Sequence, residues 1–317
     1  MSDWPFLMEF VRLHARERLA LATLVACEGS SYRPPGARLV VRDDGCYYGS
    51  LSGGCLEQGI ATVGMKVIAT GLPQVLEIDT RPHFGCPGVL RVFVEAIEPD
   101  TLFGRIADRL QERQTFRLVT SMEHGTFFEG EGPAAGGLVE VVEPPVRLLA
   151  IGWTSDMAPV LQMSALLGWE RHRLLRDARV AEDLRPVNGE KLLICPPDEV
   201  VERFVPDERT AVLIMTHHLA TDLAYLKQVF PHRYGYLGLL GSRRRRETLL
   251  AELGECGLLE DESHVARFHG PVGLDLGGGH PSVIALAIVG EIQAALAGCS
   301  GGFLRDRAGA IHLPAAV

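Results

Sequence analysis

The chain has 317 residues, a length that corresponds to about two domains at ~150 residues each. Apolar residues make up 47% of it and charged residues 22%, which excludes a wholly disordered chain. The net charge of -9 excludes broad electrostatic binding to nucleic acid or to anionic lipid.

The N-terminal segment carries charges where a signal peptide would be apolar, and its periodicity predicts a helix with Leu7, Phe10, Val11 and His14 on one face. No apolar run approaches the ~20 residues that cross a bilayer. We therefore expect no membrane association and a cytoplasmic protein whose seven cysteines are reduced thiols. The cysteines contain no CxxC spacing, which argues against a structural zinc site.

The part of the chain before Pro144 has the pattern of a small α+β domain. Asp43-Asp44-Gly45 is a hairpin turn signal. The predicted strands are Leu19–Cys27, Arg38–Arg42, Cys46–Leu51, Val75–Ile78 and Leu90–Val94, and the predicted helices cover 56–67 and 102–113.

Pro144-Pro145 marks the predicted domain boundary, because apolar strands alternate with helices after it. The predicted strands of this second part are 147–151, 192–194, 211–215 and 236–240, and the last helix covers 281–297. Such alternation is typical of a doubly wound parallel sheet of Rossmann type. The predicted fold class is therefore α/β, with a small α+β domain at 1–144, a Rossmann-like domain at 145–299 and a tail at 300–317 that forms a hairpin or frays.

The segment Gly53-Gly54-Cys55 joins a predicted strand to a predicted helix. The glycine pair permits unusual backbone conformations, and N–H groups at a helix N-terminus favour an anion. A thiol in this position ionises more readily and becomes a nucleophile and a soft-metal ligand. The alternative is a glycine turn followed by a buried structural cysteine.

Two further segments of the first domain carry candidate residues. Cys86 lies in a predicted turn and either faces Cys55 as a second thiol or is a small turn residue. Arg33 lies in a stiff loop with Ser30 and Ser31, where these side chains either contact a phosphate or form a rigid surface.

The dinucleotide fingerprint needs a second glycine two residues after the first. In the second domain Gly152 is the first glycine, but Thr154 stands at the position of the second. The missing glycine argues against NAD(P) binding, and Asp177 is the candidate ribose-binding acid. His217 follows one predicted strand. Ser242 and Arg243 follow another, where Ser242 is a candidate helix cap and at most two of the four consecutive arginines can serve one anion.

Taken together, these segments resemble the xanthine dehydrogenase accessory family, also called the XdhC/CoxI family. The matching stretches are 29–38, 49–57, 215–217, 238–243 and 271–277. The resemblance implies a dimeric, non-enzymatic chaperone. Such a protein binds the molybdenum cofactor (molybdopterin with its metal), protects it while sulfur replaces an oxo ligand, and delivers it to a molybdenum hydroxylase such as xanthine dehydrogenase.

The chain departs from the family pattern in three places. Gly152-Trp153-Thr154 replaces a Gly-x-Gly turn, which argues against nucleotide binding. Cys86-Pro87-Gly88 replaces Cys-Gly-Gly, and Ser282 and Val283 follow Pro281 where an acidic residue is expected. The last two departures leave open whether the protein is a working chaperone or a diverged paralogue.

The resemblance and the residues together give one hypothesis for the site. Cys55 is expected to approach the metal of the cofactor, on a turn shaped by Gly53 and Gly54, with Ser242 and Arg243 contributing from the second domain. Cys86, Arg33 and His217 complete the candidate set, and a cysteine desulfurase is a candidate partner. One alternative is an NAD(P)-dependent oxidoreductase. Another is an interaction scaffold without a ligand site, in which Cys55 is buried.

Overall fold

A computed structural model describes residues 3–14, 16–81, 88–97, 102–133, 136–181 and 185–309 of the protein. They form two compact units, one running to Pro144 together with Gly309 and one running from Pro145 to Ala308. Within these ranges, no helix has both the length and the apolar character needed to cross a membrane.

The first unit contains three helices and eight strands in its described part. In chain order they are α1 (Trp4–Leu13), β1 (Leu19–Gly29), β2 (Arg38–Arg42), β3 (Tyr47–Gly49), α2 (Glu57–Thr70), β4 (Gln74–Asp79), β5 (Gly88–Ile97), α3 (Leu102–Gln111), β6 (Phe116–Ser121), β7 (Gly125–Phe128) and β8 (Leu138–Val142).

An antiparallel sheet of order β3-β2-β1-β5-β4 forms the centre of this unit. The predicted hairpin is confirmed, with Leu39 opposite Gly49 and Val41 opposite Tyr47. Helix α2 covers one face through its buried apolar stripe, as its helical spacing predicts. Helices α1 and α3 and the small sheet β7-β6-β8 contribute to a second core on the other face.

The described part of the second unit contains six α-helices and six strands. They are β9 (Arg147–Gly152), α4 (Met157–Leu166), β10 (Glu170–Leu175), β11 (Lys191–Ile194), α5 (Val200–Arg203), β12 (Thr210–Met215), α6 (Leu219–Val229), β13 (Tyr236–Leu239), α7 (Arg243–Glu255), α8 (Glu262–Ala266), β14 (Phe268–His269) and α9 (Pro281–Leu296).

These strands form one parallel sheet of order β11-β10-β9-β12-β13-β14. Successive residues of the central strands enter different cores: Leu149 and Val212 lie in one, and Leu148 and Leu213 in the other. Burial on both faces explains the continuous apolar runs in the sequence. The predicted Rossmann-like α/β fold is confirmed.

Two of the six strands of this unit, β10 and β14, were not predicted. Strand β10 was overlooked because it begins with polar residues, of which Arg173 is buried and pairs with Glu190 at 3.1 Å. The sequence predicts a hairpin or fraying for the tail, and in its described part Leu304–Asp306 form a short 3-10 helix.

Candidate functional site

The loop between β3 and α2 carries the candidate residues Gly53, Gly54 and Cys55. The φ angles of the two glycines are +77° and +110°. A Cβ atom on Gly53 would also lie 3.0 Å from Cε1 of Tyr32. Other residue types rarely adopt such conformations, so the predicted unusual backbone of the glycine pair is confirmed.

Glu57, the first residue of α2, holds this loop together and is only 2% exposed. Six donors lie 2.6–3.1 Å from its carboxylate: the N–H groups of Leu51, Ser52, Gly54 and Leu56, and the hydroxyls of Ser50 and Ser52. Burial raises the pKa of Glu57, but these hydrogen bonds outweigh burial and lower its pKa from 4.5 to about 2. A buried carboxylate anion therefore organises the loop.

This arrangement corrects one prediction for the glycine loop. The loop N–H groups that bond to Glu57 were expected to hold an anionic group of a ligand, and that expectation is wrong because the chain's own carboxylate occupies them. The helix also begins at Glu57, two residues after Cys55. An acidic residue in the first helical turn was the available sequence signal for Glu57.

Cys55 is a free, solvent-exposed cysteine. The alternative in which it is buried is therefore wrong. Cys46, Cys256 and Cys299 are also free and exposed, so exposure alone does not distinguish Cys55. Cys86 lies outside the described residues. In the described part of the chain, no three His, Cys, Asp or Glu side chains form a group able to hold a metal ion.

Arg33 lies on the loop between β1 and β2, at an open cleft of about 450 Å³. Its Nη2 donates a hydrogen bond to the carboxylate of Asp3. The Ser31 hydroxyl donates to the Arg33 carbonyl at 2.5 Å, so Ser31 stabilises the loop. Gly49 and Ser50 line the same cleft, which places Arg33 near the start of the glycine loop.

In the second unit, the strand order reverses between β9 and β12. Doubly wound sheets bind ligands at the carboxyl ends of the strands beside such a reversal. Gly152 ends β9 at this point and has a φ of +128°. A Cβ there would lie 2.4 Å from the carbonyl oxygen of Met215, so glycine is required for the close approach of the two strands.

The segment after β12 gives its two histidines different roles. His218 caps α6, because its Nδ1 accepts a hydrogen bond from the N–H of Thr221 at 3.3 Å. His217 is exposed and has a φ of +58°, a left-handed conformation that is rare for non-glycine residues. The Thr216 hydroxyl lies 3.2 Å from both the N–H and the carbonyl of His218 and so closes the turn around His217.

Asp222 is fully buried in the first helical turn of α6, where it stabilises the turn around His217. One of its carboxylate oxygens accepts a hydrogen bond from the Thr216 hydroxyl, and the other accepts from Nε of Arg245 at 2.8 Å and from Nη2 of the same residue. Asp222 was not predicted from the sequence, since Arg245 lies 23 residues away on another helix.

Ser242 caps α7 as predicted, accepting a hydrogen bond from the N–H of Arg245 at 3.2 Å. Two of the four arginines are engaged inside the unit: Arg245 with the buried carboxylate and Arg246 with a backbone carbonyl of β14 at 3.1 Å. Arg243 and Arg244 are exposed. Arg243 therefore remains a candidate for binding an anion at the N-terminus of α7.

Glu291 was also overlooked and anchors the start of the glycine-rich segment before α9. Its carboxylate accepts hydrogen bonds from the N–H of Gly273 and the hydroxyl of Tyr236, both at 2.6 Å. His269 Nδ1 lies 3.2 Å from the other oxygen. Burial raises the pKa of Glu291, but the contacts with His269, Tyr236 and Gly273 outweigh it and lower the pKa.

Comparison with known families matches both units. The XdhC and CoxI family description matches residues 12–79, and the XdhC Rossmann domain description matches residues 148–292. The chain belongs to the XdhC and CoxI family. The match over residues 12–79 includes Arg33 and the Gly53-Gly54-Cys55 loop. The match over residues 148–292 includes His217, Ser242 and Arg243.

Two curated relatives align with this chain over most of its length. A Bacillus subtilis protein named as a probable xanthine dehydrogenase subunit is 26% identical, covering 88% of this chain and 94% of that protein. An Escherichia coli protein named molybdenum cofactor insertion chaperone PaoD is 25% identical, covering 86% of this chain and 81% of that protein.

A crystal structure from Bacillus halodurans, described as a xanthine dehydrogenase, superposes with a TM-score of 0.74 at 23% identity. The superposition covers 94% of this chain and 96% of that one. This likeness supports the fold.

Proposed function

We propose that the protein is a maturation chaperone that binds the molybdenum cofactor as cargo, supports its sulfuration and delivers it to a molybdenum hydroxylase of the xanthine dehydrogenase type. The observation that carries the proposal is the alignment, over 86% of this chain, with a protein named as a molybdenum cofactor insertion chaperone. The relative named as a probable xanthine dehydrogenase subunit supports the class of client.

The chemistry of the candidate residues fits such a cargo. Its metal is held by sulfur, and the exposed thiol of Cys55 is a soft ligand that matches it. Its phosphate suits guanidinium groups, which Arg33 and Arg243 supply. The remaining described candidates are Gly53 and Gly54, whose positive φ angles shape the turn before Cys55, together with His217 and the helix-capping Ser242. Cys86 stays a prediction. In this proposal the chain holds and transfers the cargo and catalyses no reaction of its own.

Replacing Cys55 with alanine is expected to lower the molybdenum that co-purifies with the protein at least tenfold, because the sulfur ligand is lost. The experiment expresses each variant in a molybdenum-replete host and measures molybdenum and pterin per chain by mass spectrometry. Cys46→Ala is the matched control, since Cys46 is another free, exposed cysteine of the first unit. Equal loading of a folded Cys55→Ala variant would remove Cys55 from the site.

Delivery of the cofactor to a client enzyme is tested separately from binding of the cofactor. Loaded wild-type protein, mixed with a cofactor-free molybdenum hydroxylase, is expected to restore that enzyme's activity. A cysteine desulfurase is the proposed sulfur source, and a homodimer is the proposed working form. Failure of loaded protein to activate any client of this class, at a concentration where free cofactor does so, would contradict the delivery role.

A second candidate function, NAD(P)-dependent oxidation, is favoured by the strand order of the sheet and by Asp177, which follows its second strand β10. Thr154 and the 44% exposed Trp153 oppose it, because glycine is missing where the pyrophosphate must approach the backbone. We expect NAD and NADP at about 1 mM to leave the melting temperature unchanged within about 1 °C. A concentration-dependent rise of several degrees would favour the oxidoreductase.

A further inference from the structure

The open cleft of the first unit has aromatic walls as well as an arginine. Phe6, Tyr47 and Tyr48 line it together with Arg33. Tyr48 is 40% exposed, and its ring stacks on that of Phe10 with 5.5 Å between centroids and 12° between planes. This stack holds Tyr48 in one orientation at the cleft. The volume of about 450 Å³ lies within the usual range of ~300–1,000 Å³ for small-molecule sites.

Asp3 makes an unusual contact in this cleft. It occupies the N-cap position of α1, where an aspartate normally accepts a hydrogen bond from an N–H of its own helix. Its side chain makes no such bond and pairs with Arg33 instead. The two side chains are 30% and 34% exposed, so solvent screens the pair and it is weak. The Asp3 carboxylate thus occupies the position on Arg33 that the anionic group of a ligand would take.

We propose that the cleft binds a planar heteroaromatic ring carrying an anionic group, and that Asp3 competes with that group for Arg33. Aromatic side chains stack on such a ring, and a guanidinium binds carboxylate or phosphate through two parallel hydrogen bonds. The contact with Asp3 engages Nη2, one of the three nitrogens of the guanidinium. A doubly charged or bidentate group therefore has the advantage over the single contact with Asp3.

The pterin and phosphate of the proposed cargo have this chemistry, so the inference rests on the proposed function and assigns the pterin part to one place. Ser50 lines the cleft and belongs to the same loop as Cys55. The hydroxyl of Ser50 donates to the Glu57 carboxylate at 3.0 Å, which fixes this wall of the cleft.

The test uses the full chain and pterin-6-carboxylate, a fluorescent planar pterin with one anionic group, in equilibrium titrations. Wild-type protein is expected to bind it saturably. Asp3→Asn is expected to bind about threefold more tightly, the scale of a screened surface ion pair. Arg33→Ala is expected to bind about tenfold more weakly, and Tyr48→Ala about fivefold more weakly. Inorganic phosphate is expected to compete with the probe in the wild type.

Asp79 and Arg81 provide the matched control, since they form another exposed aspartate–arginine pair of the first unit, at 2.6 Å. Asp79→Asn and Arg81→Ala are expected to leave the affinity for the probe unchanged. The gain of affinity in Asp3→Asn cannot come from misfolding, so it keeps the test decisive if Arg33→Ala folds poorly.

Absence of saturable binding by the wild type, or unchanged affinity in both Asp3→Asn and Arg33→Ala, would overturn the inference. Molybdenum measured in wild-type protein from a molybdenum-replete host separates this failure from failure of the proposed function. Bound molybdenum without probe binding rejects the cleft alone. Probe binding in the expected order without bound molybdenum rejects the cargo and leaves the cleft as a site for another anionic ring.

Discussion

Replacement of Glu57 by glutamine is expected to lower the free energy of unfolding of the first unit by about 3 kcal/mol at neutral pH. The pKa of Glu57 is lowered from 4.5 to about 2, and lowering a pKa by one corresponds to ~1.4 kcal/mol of preference for the anion. Glutamine has a similar volume but no charge, and its amide N–H groups would face the N–H donors of the loop. Hydrogen exchange of residues 51–56 and denaturant unfolding of the full chain measure the effect.

The lowered pKa also predicts how the effect depends on pH. Because the pKa of Glu57 is lower in the folded state than its ordinary value of 4.5, its contribution is fully present above pH 4.5 and is lost as the pH falls towards about 2. The difference between wild type and Glu57→Gln is therefore expected to shrink across this window. A difference that stays constant there would contradict the assignment.

Glu77→Gln is the matched control for Glu57→Gln. Glu77 lies on β4, has a side chain 64% exposed and pairs with Arg91 at 3.2 Å. Exposed substitutions of this kind usually change stability by less than ~0.5 kcal/mol. A Glu77→Gln effect as large as that of Glu57→Gln would mean that the loop hydrogen bonds do not account for the loss.

Apolar patterning predicted four of the six strands of the parallel sheet, and charge concealed β10, one of the two that were missed. β9 and β12 lie at the centre of the sheet and have continuous apolar runs, because helices cover both of their faces. β10 begins Glu-Arg-His-Arg, and its buried Arg173 is compensated by Glu190. A sequence pattern does not show which charged residue finds a buried partner, so the strand was overlooked.

The same physical limit applies to the candidate site. The sequence located the glycine pair, because positive φ angles favour glycine, and it located Ser242 as a helix cap. It did not show that the loop N–H groups are already bonded to Glu57, since that depends on where one carboxylate points in three dimensions. Predicting an anion site from N–H groups therefore requires excluding an internal acceptor first.

Replacement of Asp222 by alanine is expected to destabilise the second unit by about 3–5 kcal/mol, the usual cost of removing one partner from a buried ion pair. The Asp222 carboxylate is fully buried, and the side chain of Arg245 is 19% exposed. Removing the Asp222 carboxylate leaves the largely buried guanidinium of Arg245 without its acceptor and takes away one acceptor of the Thr216 hydroxyl. Denaturant unfolding of the full chain, with hydrogen exchange to assign the loss to this unit, measures the effect.

A double-mutant cycle distinguishes this ion pair from a general loss of packing. Once Arg245 is also alanine, no uncompensated charge remains, so Asp222→Ala is expected to cost at least ~1 kcal/mol less in the Arg245→Ala background. The exposed Arg244 gives the matched control, and Arg244→Ala is expected to change stability by less than ~0.5 kcal/mol. Because the Thr216 hydroxyl closes the turn around His217, Asp222→Ala should also speed hydrogen exchange at residues 216–218. Strict additivity of the two single substitutions, with protection of the turn unchanged, would show that Asp222 does not hold His217 in place.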